Sequence, residues 1–337
     1  TASVCQGKDN SITIHKELDF PHSLGLLYSA FTYFLGFKVN SGEYKLMGLA
    51  PYGNPDAEIT KKYIETITTQ LVDIKDDGSI ILNMKYFNYE TGLRMVKDSV
   101  WEKLFGFQRR HSESNIEQHH CDLAYAIQKV TDDIVLKMAA EAKRLTHSDN
   151  LCMAGGVALN CVSNGKLLKS GLFKNIFIQP AAGDAGGALG AALAAYYIYF
   201  SSERKPCTTM DEMQGAYLGQ EFSDLDIEYT AKKYKAVYTK SDDFNILAET
   251  VAALISEGNV VGWFQGRMEF GPRALGNRSI LGDARNPEMQ KKLNLKIKFR
   301  EGFRPFAPSV LEEDMQAFFE MESHSPYMLL VADVKAN

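Results

Sequence analysis

The sequence predicts an α/β fold in two domains, on three observations. Strand, small-residue turn and helix alternate twice between residues 150 and 196. A long amphipathic helix comes just before them. The length is 337 residues, which suits about two domains at ~100–200 residues each.

The first elements are short. Residues 11–14 alternate polar and apolar, as a half-buried strand does. Leu24, Leu27, Tyr28, Phe31 and Phe34 recur at helical spacing and predict a helix over 23–35. Residues 42–53, punctuated by Gly42, Gly48 and Gly53, read as a loop. Short strands and helices follow over 54–118, with Asp76-Asp77-Gly78 as a hairpin turn. A stripe of Leu123, Ala126, Ile127, Val130, Ile134, Val135, Met138 and Ala142 predicts the long helix, over 122–146.

The alternation itself begins with a strand over 150–153, the Gly155-Gly156 turn and a helix over 157–169. A second strand, 175–178, another small-residue turn and a helix over 186–196 repeat it. Residues 201–215 are polar and read as a linker. Helices over 222–234 and 244–256 and a strand over 260–264 complete the pattern. These boundaries give domains at 1–200 and 216–337.

Composition excludes several classes. Hydrophobic residues at 45% and charged residues at 23% are ordinary globular usage. A net charge of −5 lacks the basic excess of general nucleic-acid binding. Neither a membrane-spanning run nor a signal pattern is present, so no membrane partner is expected. Cys5, Cys121, Cys152, Cys161 and Cys207 are odd in number and never spaced CxxC. That argues against a disulfide scaffold and for a reducing cytoplasm.

Three stretches carry chemistry. Gly155 and Gly156 lie between a strand and a helix, where backbone N–H groups approach an anion without interference from a Cβ. Asn160 follows one turn later, placed to hydrogen-bond a base or ribose. Gly183 and Asp184 hold the equivalent place after the next strand, and Asp184 reads as either a helix cap or a carboxylate facing metal or phosphate. A plain tight turn is the alternative for Gly155-Gly156. Two such turns on successive strands favour a nucleotide crevice.

Residues 266–307 hold ten Arg or Lys and four acidic residues, interleaved with Gly, Pro and aromatics. Such a pattern puts basic groups on constrained turns, where Arg forks match phosphate oxygens in pairs. A small phosphorylated substrate fits it better than a long polyanion. His22, His119 and His120 show no metal-ligand spacing, and no GxSxG, P-loop or GxGxxG pattern occurs.

Taken together, 43–53 (EYKLMGLAPYG), 154–164 (AGGVALNCVSN), 183–193, 266–282 (GRMEFGPRALGNRSILG) and 303–308 (FRPFAP) resemble the O-carbamoyltransferases of the nodulation-protein NodU and tobramycin carbamoyltransferase TobZ type. The resemblance implies an actin/Hsp70-like (ASKHA) ATPase domain, partial, and then a partial YrdC-like α+β domain. It implies ATP and carbamoyl phosphate as substrates, a carbamoyl-adenylate intermediate, and transfer to a hydroxyl of a sugar-containing acceptor. It allows a homodimer.

By the same resemblance Gly155, Gly156, Asn160 and Gly183 contact nucleotide, and Lys45 lies nearby. Asp184 ligates a divalent metal, iron or magnesium. Arg273, Lys298 and Arg304 hold carbamoyl phosphate. The family's His pair and its N-terminal glycine-rich turn find no counterpart, and the chain opens on Thr1 rather than Met. We therefore expect an internal piece lacking both ends, weak in binding and turnover. A kinase of the actin-like superfamily would explain the glycine turns but not the basic segment. A nucleotide-binding regulatory module would also lack a use for that segment.

Overall fold

The computed structural model describes residues 2–112, 114–205 and 211–335. Its chain divides into two compact units, one of 1–204 with 329–332 and one of 205–328 with 333–337. Part of the 201–215 linker, including Cys207, lies outside the described residues.

The first unit opens with an antiparallel pair, β1 (Ala2–Lys8) and β2 (Ser11–Leu18). Ile12 and Ile14 on β2 are 61% and 56% exposed, so the expected half-buried strand forms but does not bury that face. Next come α1 (Leu24–Phe34), α2 (Glu43–Leu49) and α3 (Glu58–Thr66). Ser23 caps α1 by accepting from the Leu26 amide.

Residues 42–53 correct the expected loop. They form α2 and a 3₁₀ turn, Ala50–Tyr52. The Glu43 carboxylate accepts from the amides of Asn40 and Gly42 and from Ser29 Oγ, which fixes the start of the helix.

The Asp76–Gly78 turn joins β3 (Val72–Ile74) to β4 (Ile80–Leu82), antiparallel as expected. Asp77 Oδ1 accepts from the amide and hydroxyl of Ser79. α4 (Asp98–Phe105) supplies Trp101 and Phe105 to a core that they share with Phe31 and Phe34, with ring centroids 4.8–5.8 Å apart.

α5 (Gln118–Thr146) is the expected long helix, begun one turn earlier. His119 and His120 are therefore in its first turn rather than ahead of it. Glu117 and His120 form a reciprocal capping pair. After α5 come β5 (Asn150–Met153), α6 (Cys161–Lys169), β6 (Asn175–Ile178) and α7 (Asp184–Ala194). β5 and β6 pair in parallel with Asn150 opposite Asn175, the βαβ arrangement the alternation predicts. Ala139, Leu167 and Phe173 pack beneath Leu151, Met153 and Ile176 of this sheet.

The helix expected over 157–169 is broken. A 3₁₀ turn spans Gly156–Leu159, and Asn160 (ψ 89°) interrupts it before α6. Helix α7 starts two residues before the expected boundary and bears no buried residue.

In the second unit, α8 (Asp224–Lys233) and α9 (Phe244–Ser256) precede β7 (Val261–Phe264) and β8 (Arg278–Leu281), which pair antiparallel. Strand β8 was not expected inside the basic segment. α10 (Met289–Lys292) and α11 (Met315–Phe318) follow, with Met289 and Leu293 packed under Gly282. Among the described residues no helix is long and apolar enough to cross a membrane.

Candidate functional site

The first unit builds its site from two turns. At the end of β5 the chain passes through Gly155 with φ +95° and ψ 160°, a conformation open only to glycine at low cost. Gly155 and Gly156 are exposed, and a Cβ added to either would meet nothing within 4 Å. At the end of β6, Ala181 and Ala182 are buried and Gly183 caps α7 with no side-chain acceptor. The Gly155 amide donates to the Ala182 carbonyl at 2.7 Å and joins the two turns. Asp184 is the first helical residue, with its side chain in solvent.

Asn160 is only 8% exposed, and its amide is engaged at both ends. Its Oδ1 accepts from the Ser163 amide and from Gln128 Nε2, both at 3.1 Å, and its Nδ2 donates to Gln128 Oε1 at 3.1 Å. Asn160 thus holds the turn onto α5, where we had expected it to face a base or ribose.

The same network contains Asp132, 1% exposed, which accepts from Gln128 Nε2 (2.7 Å), Ser163 Oγ (2.6 Å) and Lys166 Nζ (2.5 Å). Tyr28 donates to Gln128 Oε1 at 2.8 Å, and burial pushes its phenol well up. Lys45, on α2, sets its ammonium 5.9 Å from the centre of the Phe37 ring. Helix α2 reaches α6 through Met47, whose sulfur lies 3.7 Å from Cys161 Sγ.

The second unit holds Arg273 in the loop between β7 and β8. Buried Glu269 organises that loop. Its Oε1 accepts from the amides of Leu275 (2.8 Å), Asn277 (2.9 Å) and Arg278 (3.2 Å). Its Oε2 accepts from Arg278 Nε at 2.7 Å. Burial works to raise this carboxyl, and the Arg278 and amide hydrogen bonds outweigh it, holding the value at about 2.

Lys298 and Arg304 come together with Arg300 on the segment after α10. Burial lowers the Lys298 ammonium, and repulsion from Arg300 and Arg304 lowers it further. Asn294, fully buried, shapes the segment. It accepts from Arg300 Nε at 2.6 Å and donates to the carbonyls of Gly302 (3.2 Å) and Arg304 (2.8 Å). The Arg300 guanidinium lies 4.7 Å over the Phe306 ring.

Among the described residues no group of three or more His, Cys, Asp or Glu could hold a metal ion. Asp184 by itself does not make a metal centre. Two surface concavities, of about 440 Å³ beside Tyr63, Phe107 and His119 and about 270 Å³ beside Lys16, Asp77 and Glu141, include none of the expected site residues.

Family comparison places both halves of this geometry in one frame. The profile described as Carbamoyltransferase N-terminus matches residues 1–193, and the one described as Carbamoyltransferase C-terminus matches 252–337. This chain belongs to the carbamoyltransferase family. Both glycine turns, Lys45 and Asp184 lie in the N-terminal match, and Arg273, Lys298 and Arg304 in the C-terminal one.

A Synechocystis protein, sll1178, is 55% identical over 340 residues, which is 99% of this chain and 53% of that protein. The nodulation protein NolO of Bradyrhizobium diazoefficiens is 39% identical over 94% of this chain and 55% of its own. The 3'-hydroxymethylcephem-O-carbamoyltransferase of Streptomyces clavuligerus is 32% identical over 66% of this chain and 39% of its own. The carbamoyltransferase chain here spans about half the length of the curated relatives it matches first.

Glu269, Asn294 and Arg300 fall inside the basic stretch read from the sequence, which assigns none of them a role of its own.

Proposed function

We propose that this chain carries the donor-handling machinery of an ATP-dependent O-carbamoyltransferase. In this reading the first unit is an actin/Hsp70-like nucleotide-binding part and the second a YrdC-like part. Carbamoyl phosphate supplies the carbamoyl group, which is activated as a carbamoyl-adenylate and passed to a hydroxyl of a sugar-containing acceptor.

The observation that carries this is the grouping of Lys298, Arg300 and Arg304. Burial lowers the Lys298 ammonium most, Arg300 and Arg304 lower it further, and Glu301 pairs with Arg304 at 3.6 Å. Three cations against one carboxylate favour a small, highly charged anion on this segment. Family membership makes carbamoyl phosphate the anion that fits. The joined glycine turns, with exposed backbone, support a nucleotide phosphate in the first unit.

The chemistry asks for fixed positive charge. During adenylation the carbamate oxygen bonds to the α-phosphorus as pyrophosphate leaves, after the donor's phosphate has been released by water. During transfer the acceptor oxygen bonds to the carbamoyl carbon as AMP leaves, and the hydroxyl proton passes to the departing phosphate or to water. Arg and Lys already in place stabilise the phosphoryl charge without reorganising. A side-chain nucleophile is not needed. Asp184, exposed at the start of α7, would offer its carboxylate to a divalent ion. A sugar-containing acceptor rests on the resemblance to the NodU type alone.

The test is carbamoyl-phosphate-dependent exchange of pyrophosphate into ATP by the full-length protein. Arg273→Ala and Arg304→Ala are each expected to raise the KM for carbamoyl phosphate in it by about tenfold or more. Unchanged exchange in both variants would remove them from the site, and exchange indifferent to carbamoyl phosphate would overturn the reading.

A further inference from the structure

We propose that Glu269 is the positioning residue that presents Arg273 to the phosphate of the carbamoyl donor. This deepens the proposed function and rests on it. Arg273 lies within a short excursion of chain, 270–274, between Glu269 and Leu275. One carboxylate closes the base of that excursion, because its Oε1 gathers the amides of Leu275, Asn277 and Arg278 on the far side.

Other bonds fix the same base from outside. The Phe270 amide donates to the Ala216 carbonyl at 2.7 Å, and Tyr217 donates to the Leu275 carbonyl at 2.7 Å. Asn277 Nδ2 donates to the Arg267 carbonyl at 2.6 Å. Gly276, at φ +118°, lets the chain turn so that three amides point to one oxygen.

Burying a carboxylate this completely costs free energy unless every lone pair is matched. Here the matching donors are the Arg278 guanidinium and the loop's own backbone. An apolar residue could fill the volume but could not draw those amides inward. The carboxylate therefore sets a loop conformation, and the side chain this loop carries at its centre is Arg273.

The experiment measures KM for carbamoyl phosphate and for ATP in the exchange reaction of the full-length protein. It compares the wild type, Arg273→Ala, Glu269→Gln and the double variant, with far-UV circular dichroism to confirm folding. Glu269→Gln should raise KM for carbamoyl phosphate by about tenfold or more, as loss of one charged hydrogen bond predicts. KM for ATP should stay within about twofold, and the double variant should be no worse than Arg273→Ala, since coupled residues are non-additive.

If Glu269→Gln does not fold, Glu269→Asp keeps the charge, withdraws it from the amides, and is read in the same way. An unchanged KM for carbamoyl phosphate, an equal rise for ATP, or effects that multiply in the double variant would each overturn the inference. If Arg273→Ala weakens the donor while the Glu269 variants do not, only this inference falls. If Arg273→Ala is also silent, the assignment of Arg273 falls with it.

Discussion

Gly155 and Ala182 are joined by a 2.7 Å hydrogen bond that ties the turn after β5 to the turn after β6. The bond depends on Gly155 holding φ +95° and ψ 160°. An added Cβ there would touch nothing within 4 Å, so Gly155→Ala is strained in its backbone and not by collision. We expect it to cost about 1–3 kcal/mol in urea unfolding. On the proposed function, nucleotide affinity should fall with it, as the turn relaxes away from Ala182. Unaltered stability would show that the turn does not need this conformation.

Two neighbouring glycines on α7 separate the same way. A Cβ at Gly186 would sit 2.1 Å from the Ala181 carbonyl oxygen, and one at Gly187 would meet nothing. Gly186→Ala must push α7 off the turn, and should lower stability by about 1–3 kcal/mol as other overpacked sites do. Gly187→Ala should raise it by about 0.5–1 kcal/mol, the helix-propensity difference. Thermal unfolding of the pair checks both signs at once.

The His120 pair with Glu117 makes a pH prediction. The Glu117 amide donates to His120 Nδ1 at 2.9 Å, so that nitrogen must be unprotonated. Burial lowers this imidazole most, with His119 and Arg110 adding to the effect, and brings it from 6.5 to about 4. The unfolded chain binds the proton first. Its contribution is therefore complete above pH 6.5 and is lost as pH falls through 4, by about 3 kcal/mol in all. His120→Asn should flatten unfolding free energy over that window. An NMR titration of His120 with a midpoint near 6.5 would refute the assignment.

What the residues disclosed locally was legible. Helix α9 matches its expected bounds because Asp243 caps it, accepting from the Asn245 amide at 2.8 Å. Strands β5 and β6 match because short apolar runs end at turn residues. Segment 42–53 did not, since its glycines read as loop while Glu43 draws in Ser29 and the amides of Asn40 and Gly42. At the site, both glycine turns were visible as turns. The commitment of Asn160 to Gln128 was not, because that partner lies 32 residues away on another helix. Glu269 was hidden for a related reason: three of its donors are backbone amides, which no side-chain pattern announces.

Asn294 gives the last prediction, in the basic segment itself. It is fully buried, and one amide group serves three partners: Arg300 Nε and the carbonyls of Gly302 and Arg304. Asn294→Ala takes an acceptor from a guanidinium and donors from two carbonyls, worth about 2–3 kcal/mol together. Asn294→Asp keeps an acceptor for Arg300 and loses both donated bonds, so its stability should fall between wild type and Asn294→Ala. The Lys298–Arg304 segment would loosen in the same order. We therefore expect KM for carbamoyl phosphate to rise from wild type to Asp to Ala, with unfolding midpoints falling in step. If Asn294→Ala unfolds less readily than Asn294→Asp, the acceptor that residue 294 offers to Arg300 does not hold the segment.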